Sequence, residues 1–232
     1  MHRLNYQKLI ILEDGTDTIR IVKLIEDKSL HRTNKTAYNQ KNIFQIFINK
    51  LLRIDSSYYY NAYLFSIYNL NTNIKIIHND YKFLKKELHH LEKKEIAFFI
   101  GSNLIENILV SEKVFEEYIK RIVKHYQKKN LKFIYILHRK EDIKYMNLLG
   151  EKFEFECIKF DNIIEIELLR KKTIPMEVSS FASTAVETIS MIYNTKCKIF
   201  ELTNDYIVDK YKLEYQKLYD NFREKNLEVV AL

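Results

Sequence analysis

A pair of adjacent carboxylates, Glu13 and Asp14, stands near the start of this 232-residue chain and is followed by Gly15. A carboxylate held at the end of a strand can deprotonate a hydroxyl group as a general base. The same tripeptide also fits an ordinary tight turn, because Asp-Gly is a common turn dipeptide. Two interpretations, a catalytic base and a turn, are therefore open.

Cationic side chains and hydroxyls follow two later apolar runs. His138, Arg139 and Lys140 come directly after one of them, and three such groups at a strand end favour phosphate binding. Ser183 and Thr184 lie where the other run passes into a predicted helix, and the N–H groups at a helix start attract anions. The alternatives are a structural histidine and an ordinary Ser/Thr helix cap.

Short apolar runs, alternating with helical patterns, must position these residues. Apolar and alternating patterns predict strands at 9–12, 74–77, 96–100, 133–137, 153–160, 178–181 and 197–202. Helical spacing begins after Ser111, a predicted N-cap, and recurs at 142–149 with Gly150 as its stop, at 163–169, at 185–193 and over most of 204–232. Strands alternating with helices predict an α/β fold with a parallel, Rossmann-like sheet.

Composition excludes several classes of protein. The chain is 47% hydrophobic and 13% aromatic with only 3 Gly and 1 Pro, which excludes disordered and collagen-like chains. No apolar run reaches the roughly 18 residues of a membrane span, so we expect a cytoplasmic protein. Two cysteines without ligand spacing predict no metal site. The net charge of +7 suits an anionic partner, but the basic residues are dispersed and predict no nucleic-acid partner.

In chain order, Glu13-Asp14-Gly15, His138 and Ser183-Thr184 resemble three motifs of the bacterial GT-B sialyltransferases. Those motifs are an acidic pair with glycine, His-Pro, and Ser-Ser/Thr; Arg139 stands here where the family usually has proline. The segments IAFFIGSNLIENILVSEKVFEEYIKRI, FIYILHRKED and SSFASTA are most similar to glycosyltransferase family 52, which includes lipooligosaccharide and capsule sialyltransferases. Apart from the first motif, the resemblance extends from about Ile96 to Leu202.

The resemblance implies a GT-B architecture. Residues 91–232 would form the nucleotide-sugar-binding Rossmann-like domain with C-terminal helices. Only twelve residues precede Glu13, whereas most of a domain precedes this motif in the resembled enzymes. Residues 1–90 are therefore expected to be a partial remnant of the N-terminal, acceptor-side domain.

The resemblance also implies an activity, the inverting, metal-independent transfer of sialic acid from CMP-sialic acid to a galactose-type acceptor. No cofactor is implied beyond this donor substrate. Glu13, or else Asp14, would deprotonate the acceptor hydroxyl, and Glu106 is a second candidate for the base. The CMP phosphate would be held by the loop and strand-end residues Gly101, Ser102, His138, Arg139, Ser183 and Thr184, with His138 assisting its departure.

The implied partners are a nucleotide-sugar donor and a glycan or glycolipid acceptor, and a glycolipid would bring the protein to the inner face of the membrane. Two alternatives remain at this stage. One is a catalytically inactive nucleotide-binding chain, and the other is a GT-B transferase that uses a different nucleotide sugar.

Overall fold

The chain separates into two compact units, Met1–Asp80 and Tyr81–Leu232. The computed structural model describes residues 9–13, 18, 22, 62–68 and 70–232. The predicted division lies after residue 90, but helix α1 (Lys82–Lys86) and the 3₁₀ turn Glu87–His90 belong to the second unit. Their leucines, Leu84 and Leu88, pack against the core of that unit.

The described residues of the first unit contain a three-stranded parallel sheet. Its strands are β1 (Leu9–Leu12), β2 (Ala62–Ser66) and β3 (Lys75–His78), in the order β1-β2-β3. The strands predicted at 9–12 and 74–77 are thus confirmed. The central strand, β2, contributes Leu64, which is buried and pairs with both neighbouring strands.

The second unit is a six-stranded sheet in which every pair of neighbours is parallel, with helices between the strands. Its strands are β4 (Glu92–Ile100), β5 (Lys132–Ile136), β6 (Glu156–Ile158), β7 (Thr173–Ser180), β8 (Lys196–Glu201) and β9 (Glu228–Ala231). Its longer helices are α2 (Glu112–Gln127), α3 (Ile143–Phe153), α4 (Ile164–Arg170), α5 (Ala185–Ile192) and α6 (Asp209–Glu224). The predicted α/β class with a parallel sheet is confirmed.

The order of the strands, β6-β5-β4-β7-β8-β9, is that of a doubly wound Rossmann sheet. The chain moves outward from β4 to β6 and then returns to build the other half from β7 to β9. Because such crossovers are right-handed, helices of the two halves cover opposite faces. Accordingly, Phe99 of β4 packs in a cluster with α2 and α3, whereas Phe98 and Ile100 pack with α4, α5 and α6.

Helix α2 begins as the sequence predicts. The Ser111 hydroxyl accepts a hydrogen bond from the Val114 N–H at 3.4 Å, so the predicted N-cap is confirmed. One face of the helix is buried, through Phe115, Tyr118, Ile119, Ile122, Val123 and Tyr126. Across the part of the chain that the structure describes, no helix combines the length and apolar character needed to cross a membrane.

Gly150 has a different role from the predicted one, since α3 continues through it to Phe153. A Cβ atom at Gly150 would lie 2.7 Å from the Phe155 carbonyl oxygen, so glycine permits close packing rather than ending the helix. The residue that follows the helix, Glu154, has a φ of 61° and caps its C-terminus. The extra turn of helix also explains why the strand predicted over 153–160 is reduced to β6.

The C-terminal segment contains a strand that the helical pattern did not predict. Helix α6 ends at Glu224, and β9 then extends the sheet by pairing with β8, with Val229 opposite Ile199. Cys197–Leu202 is therefore not the last strand. The change from helix to strand occurs at Asn226, whose φ is 59°, a conformation that asparagine tolerates better than most residues.

A buried ion pair joins β7 to β8. Glu177 and Lys198 are each 3% exposed and lie 3.0 Å apart, and Glu177 also binds Lys129 from the end of α2 at 2.9 Å. Burial alone would raise the pKa of Glu177, but the hydrogen bonds from Lys129 and Lys198 bring it below its ordinary value. The carboxylate thus stays charged and links the turn after α2 to two strands.

Glu177→Gln should destabilise the protein strongly, because buried Lys198 then loses its shorter ion pair at 3.0 Å and keeps only Glu228, at 3.4 Å and largely exposed. Breaking a buried pair from one side costs about 3–5 kcal/mol. The matched control is Glu156→Gln, which breaks the surface pair with Lys132 and should cost no more than about 1 kcal/mol. Urea denaturation measures both, and equal losses in the two variants would contradict the structural role of Glu177.

Candidate functional site

Three polar segments meet at the carboxyl edge of the second sheet, around the end of β4. Ile100, the last residue of β4, pairs with Ile136 of β5 on one side and with Ser180 of β7 on the other. Strands are about 4.8 Å apart, so the ends of β5 and β7 lie about 10 Å apart. Because strand order reverses between β4 and β7, this is the position where open α/β sheets bind ligands.

Gly101 begins the first of these segments, and only glycine fits there. A Cβ atom at this position would lie 2.2 Å from Glu141 Oε2 and 2.9 Å from the Tyr135 hydroxyl oxygen. The Gly101 N–H donates to the Ile136 carbonyl at 2.8 Å, which holds the start of the loop against β5. The missing side chain therefore lets the loop after β4 lie directly on the turn after β5.

The turn after β5 is organised by Glu141, a residue that the sequence did not single out. Its Oε1 accepts from the Tyr135 hydroxyl at 2.6 Å, and its Oε2 accepts from the His138 N–H at 2.7 Å. The Glu141 N–H in turn donates to the His138 carbonyl at 3.0 Å. In the sequence, Glu141 lies in a run of charged residues typical of an exposed turn. Its position three residues after the strand-end His138 is the only sequence feature that could have indicated its role in the turn.

Glu141 is a partly buried carboxyl group that accepts hydrogen bonds from a hydroxyl and a backbone N–H. Burial raises its pKa from 4.5 to about 7, although the hydrogen bonds from Tyr135 and His138 oppose that rise, and the Glu106 carboxylate adds to it. Among the described residues, none forms an ion pair with it. Its charge can therefore change near neutral pH.

His138 is half-buried beside this carboxylate, and its surroundings favour the neutral ring. Burial and the neighbouring Arg139 and Lys140 cations lower its pKa, while Glu106 raises it. The Lys140 N–H donates to Nδ1 at 3.3 Å, so the ring proton is assigned to Nε2. Within the described part of the chain Nε2 has no hydrogen-bond partner, which leaves this N–H able to donate to a ligand.

Glu106 lies in the loop after β4 and is tied to the start of α3. Its Oε1 accepts from the Asp142 N–H at 3.3 Å, and its side chain is exposed. Ser102 precedes it in the same loop, where its carbonyl accepts from the Leu104 N–H at 2.7 Å. The structure thus brings the predicted residues Gly101, Ser102, Glu106, His138 and Arg139 together with Glu141.

The hydroxyl segment after β7 lies on the other side of the β4 end. Ser180 is buried and holds the turn, since it donates to the Ile100 carbonyl at 2.8 Å and accepts from the Ser183 N–H at 3.1 Å. Ser183 and Thr184 are partly exposed, and the Ser183 hydroxyl accepts from the Ala185 N–H at 3.3 Å. For the Thr184 N–H, at the start of α5, the described residues supply no acceptor.

Glu13 belongs to the first unit, at the carboxyl end of β1. One of its oxygens, Oε2, accepts from the Ser66 hydroxyl at 2.7 Å and from the Ile67 N–H at 2.8 Å. No donor among the described residues reaches Oε1. The carboxylate is therefore held in one orientation by the end of β2. Asp14 and Gly15 lie outside the described residues.

The residues around the end of β4 suit an anion. They offer the neutral Nε2–H of His138, the N–H and hydroxyl of Thr184, and the exposed Arg139 and Lys140 side chains. No group of three or more His, Cys, Asp or Glu side chains in the described ranges is arranged to hold a metal ion.

The raised pKa of Glu141 predicts a pH-dependent stability that Glu141→Gln should remove. In the unfolded chain this carboxyl ionises near 4.5, and in the folded protein near 7. Between these values only the folded state binds the proton, so stability falls as pH rises toward 7. At about 1.4 kcal/mol per unit the fall is on the order of 3 kcal/mol.

Urea denaturation of both proteins at intervals from pH 5 to pH 8 measures this effect. The difference between them should grow in favour of Glu141→Gln as pH rises. Glu151→Gln, an exposed position on α3, should follow the unsubstituted protein throughout. Parallel curves for all three proteins would place the pKa of Glu141 at its ordinary value.

A comparison of the chain with models of protein families found no match, and a comparison with curated proteins found no significant similarity.

Proposed function

We propose that this chain is a sialyltransferase of the GT-B type, which transfers sialic acid from CMP-sialic acid to a glycan of lipooligosaccharide or capsule. The observation that carries the proposal is the meeting of His138, the Gly101–Ser102 loop and the Ser183–Thr184 segment around the end of β4. In the resembled enzymes these motifs hold the phosphate of the donor nucleotide.

The leaving group explains why such residues would be needed. Breaking the bond between the anomeric carbon and the phosphate oxygen leaves the electron pair on CMP. The developing negative charge is stabilised by hydrogen-bond donors already aimed at it. The Nε2–H of His138, the Thr184 N–H and the Arg139 side chain would supply these donors from both sides of β4.

The acceptor hydroxyl needs a base, because its oxygen forms the new bond to the anomeric carbon and its proton must be removed. Glu13 is the favoured candidate, since its orientation is fixed through Oε2 while Oε1 has no donor among the described residues. Glu106 is a weaker candidate, because its carboxylate already accepts from the start of α3. Asp14 stays an alternative from the sequence.

Isothermal titration calorimetry with CMP, CDP, UDP and GDP tests the proposed donor. CMP or CDP should bind most tightly, and CMP should stabilise the protein against heating. Preference for UDP or GDP would instead indicate a transferase that uses another nucleotide sugar. Equal binding of all four nucleotides, or no binding of any, would overturn the proposal.

His138→Ala should reduce turnover more than nucleotide affinity. The Nε2–H bond to phosphate strengthens as charge develops, so its loss affects mainly the transition state. Removal of one such donor lowers the rate by about 10²–10³-fold. The free energy of CMP binding should weaken less, by roughly 1.5–3 kcal/mol for a hydrogen bond to a charged group.

CMP release from CMP-sialic acid with a galactose-terminated acceptor measures the rate, and calorimetry measures the affinity. His90→Ala, at an exposed histidine in the turn before β4, is the control and should change neither. Adding Arg139→Ala to His138→Ala should weaken binding further. Unchanged CMP affinity and unchanged thermal stabilisation in His138→Ala would remove His138 from the site.

A further inference from the structure

Glu141 lies next to the proposed phosphate position without being part of any motif. Its Oε2 comes within 2.2 Å of the point where a Cβ of Gly101 would be, so it lies immediately under the loop after β4. The His138 N–H donates to the same oxygen at 2.7 Å. An anion that contacts Gly101 and His138 would therefore lie only a few ångströms from this carboxyl group.

The elements packed around Glu141 contribute more acidic or neutral groups than cations. The hydroxyl of Tyr135, on β5, is fully buried and donates to Oε1. The titratable and charged groups near Glu141, taken from every element packed against it, are Tyr135, Cys157, Glu106, His138, Arg139, Lys140 and Asp142. The two cations are on exposed side chains of the turn and form no ion pair with Glu141.

The groups around Glu141 shift its protonation equilibrium in opposite directions. Removal from water and the Glu106 carboxylate favour the neutral acid, while the hydrogen bonds from Tyr135 and His138 favour the carboxylate. The two tendencies nearly balance at neutral pH. An additional negative charge at the end of β4 would then shift the balance toward the neutral acid.

We propose that Glu141 takes up one proton from solvent when an anion binds at the end of β4, and so acts as a positioning residue that makes anion affinity depend on pH. The neutral acid removes a negative charge from beneath the bound anion while Tyr135 and the His138 backbone keep the turn in place. The identification of the anion as the phosphate of CMP rests on the proposed function.

Thermodynamic linkage between proton and anion binding determines whether the affinity rises or falls with pH. If binding favours the protonated form, the affinity must fall as pH rises above the pKa of free Glu141, by up to about tenfold per pH unit. The fall ends where Glu141 ionises in the complex as well. A neutral amide at this position has no proton to gain, so Glu141→Gln should bind CMP with the same affinity from pH 7 to pH 9.

Calorimetry in buffers of different ionisation enthalpy tests the proposal directly, because the observed heat then reports the protons taken up. At pH 8 the full chain should take up about 0.5–1 proton on binding CMP, and Glu141→Gln should take up none. The control, Glu151→Gln on the exposed side of α3, should retain the uptake. Uptake that persists in Glu141→Gln would assign the proton to His138 or to the nucleotide and overturn the inference.

Tyr135→Phe provides a second test if Glu141→Gln does not fold. It removes the donor to Oε1, so the pKa of Glu141 should rise and the pH at which affinity falls should move upward. An unchanged pH profile in folded Tyr135→Phe would also overturn the inference.

The two proposals fail in different ways. Binding of CMP without proton uptake would refute the role of Glu141 and leave the sialyltransferase proposal intact. If CMP does not bind, the proposed function is wrong, and the same titration with inorganic phosphate tests Glu141 alone. Absence of binding by both probes would overturn both proposals.

Discussion

The reversal of strand order between β4 and β7 is the constraint on which the candidate site depends. Chain segments leaving these two neighbouring strands turn to opposite faces of the sheet, because each crossover is right-handed. The loops that start at the carboxyl ends of β4 and β7 therefore diverge, and this is the edge where open α/β sheets generally bind ligands. The site is thus a result of topology first and of side-chain chemistry second.

Two carboxyl groups of the second unit, the buried Glu177 and the partly buried Glu141, show how position determines charge. Glu177 lies between β8 and the end of α2, where two lysines keep it ionised. Glu141 lies in the turn after β5, where a tyrosine hydroxyl and a backbone N–H are its partners and no described cation pairs with it. Glu177 stays ionised at any pH near neutrality and joins structural elements there. Glu141 has a pKa of about 7, so its charge changes in the same pH range. The same type of side chain is thus held charged in one place and changes its charge near neutral pH in the other.

Local sequence patterns predicted the elements well where burial is continuous. The run Ala97–Ile100 is buried throughout, as its uninterrupted apolar character indicates, and Ser111 caps α2 as predicted. Local patterns were less informative at positions where a tertiary contact determines which residue is required. Gly150 resembles a helix stop, but it is required by the approach of the Phe155 carbonyl. Strand order, and with it the neighbours of β4, is not encoded in any local pattern.

The candidate site was predictable only in its individual positions. The residues at the ends of β4, β5 and β7 were identifiable because parallel sheets gather such residues at one edge. Glu141 was not, because its burial depends on the contact between the Gly101 loop and Tyr135, which are far apart in sequence. Glu106 was identified as a candidate base, yet its contact with the Asp142 N–H makes it part of the support for α3.

Pro175, the only proline of the chain, lies within the interior strand β7. It is paired with Lys94 of β4, immediately before the register shifts between Lys94 and Ala97, and the ladder to β8 starts only at Glu177. Its missing N–H therefore falls where the ladders are interrupted. A one-residue slip of β7 against its neighbours would reverse the face of every side chain on the strand. An uninterrupted ladder on both sides of β7 would require a donor that the imino acid lacks, so Pro175 is compatible with the interrupted register of the strand that leads to Ser180.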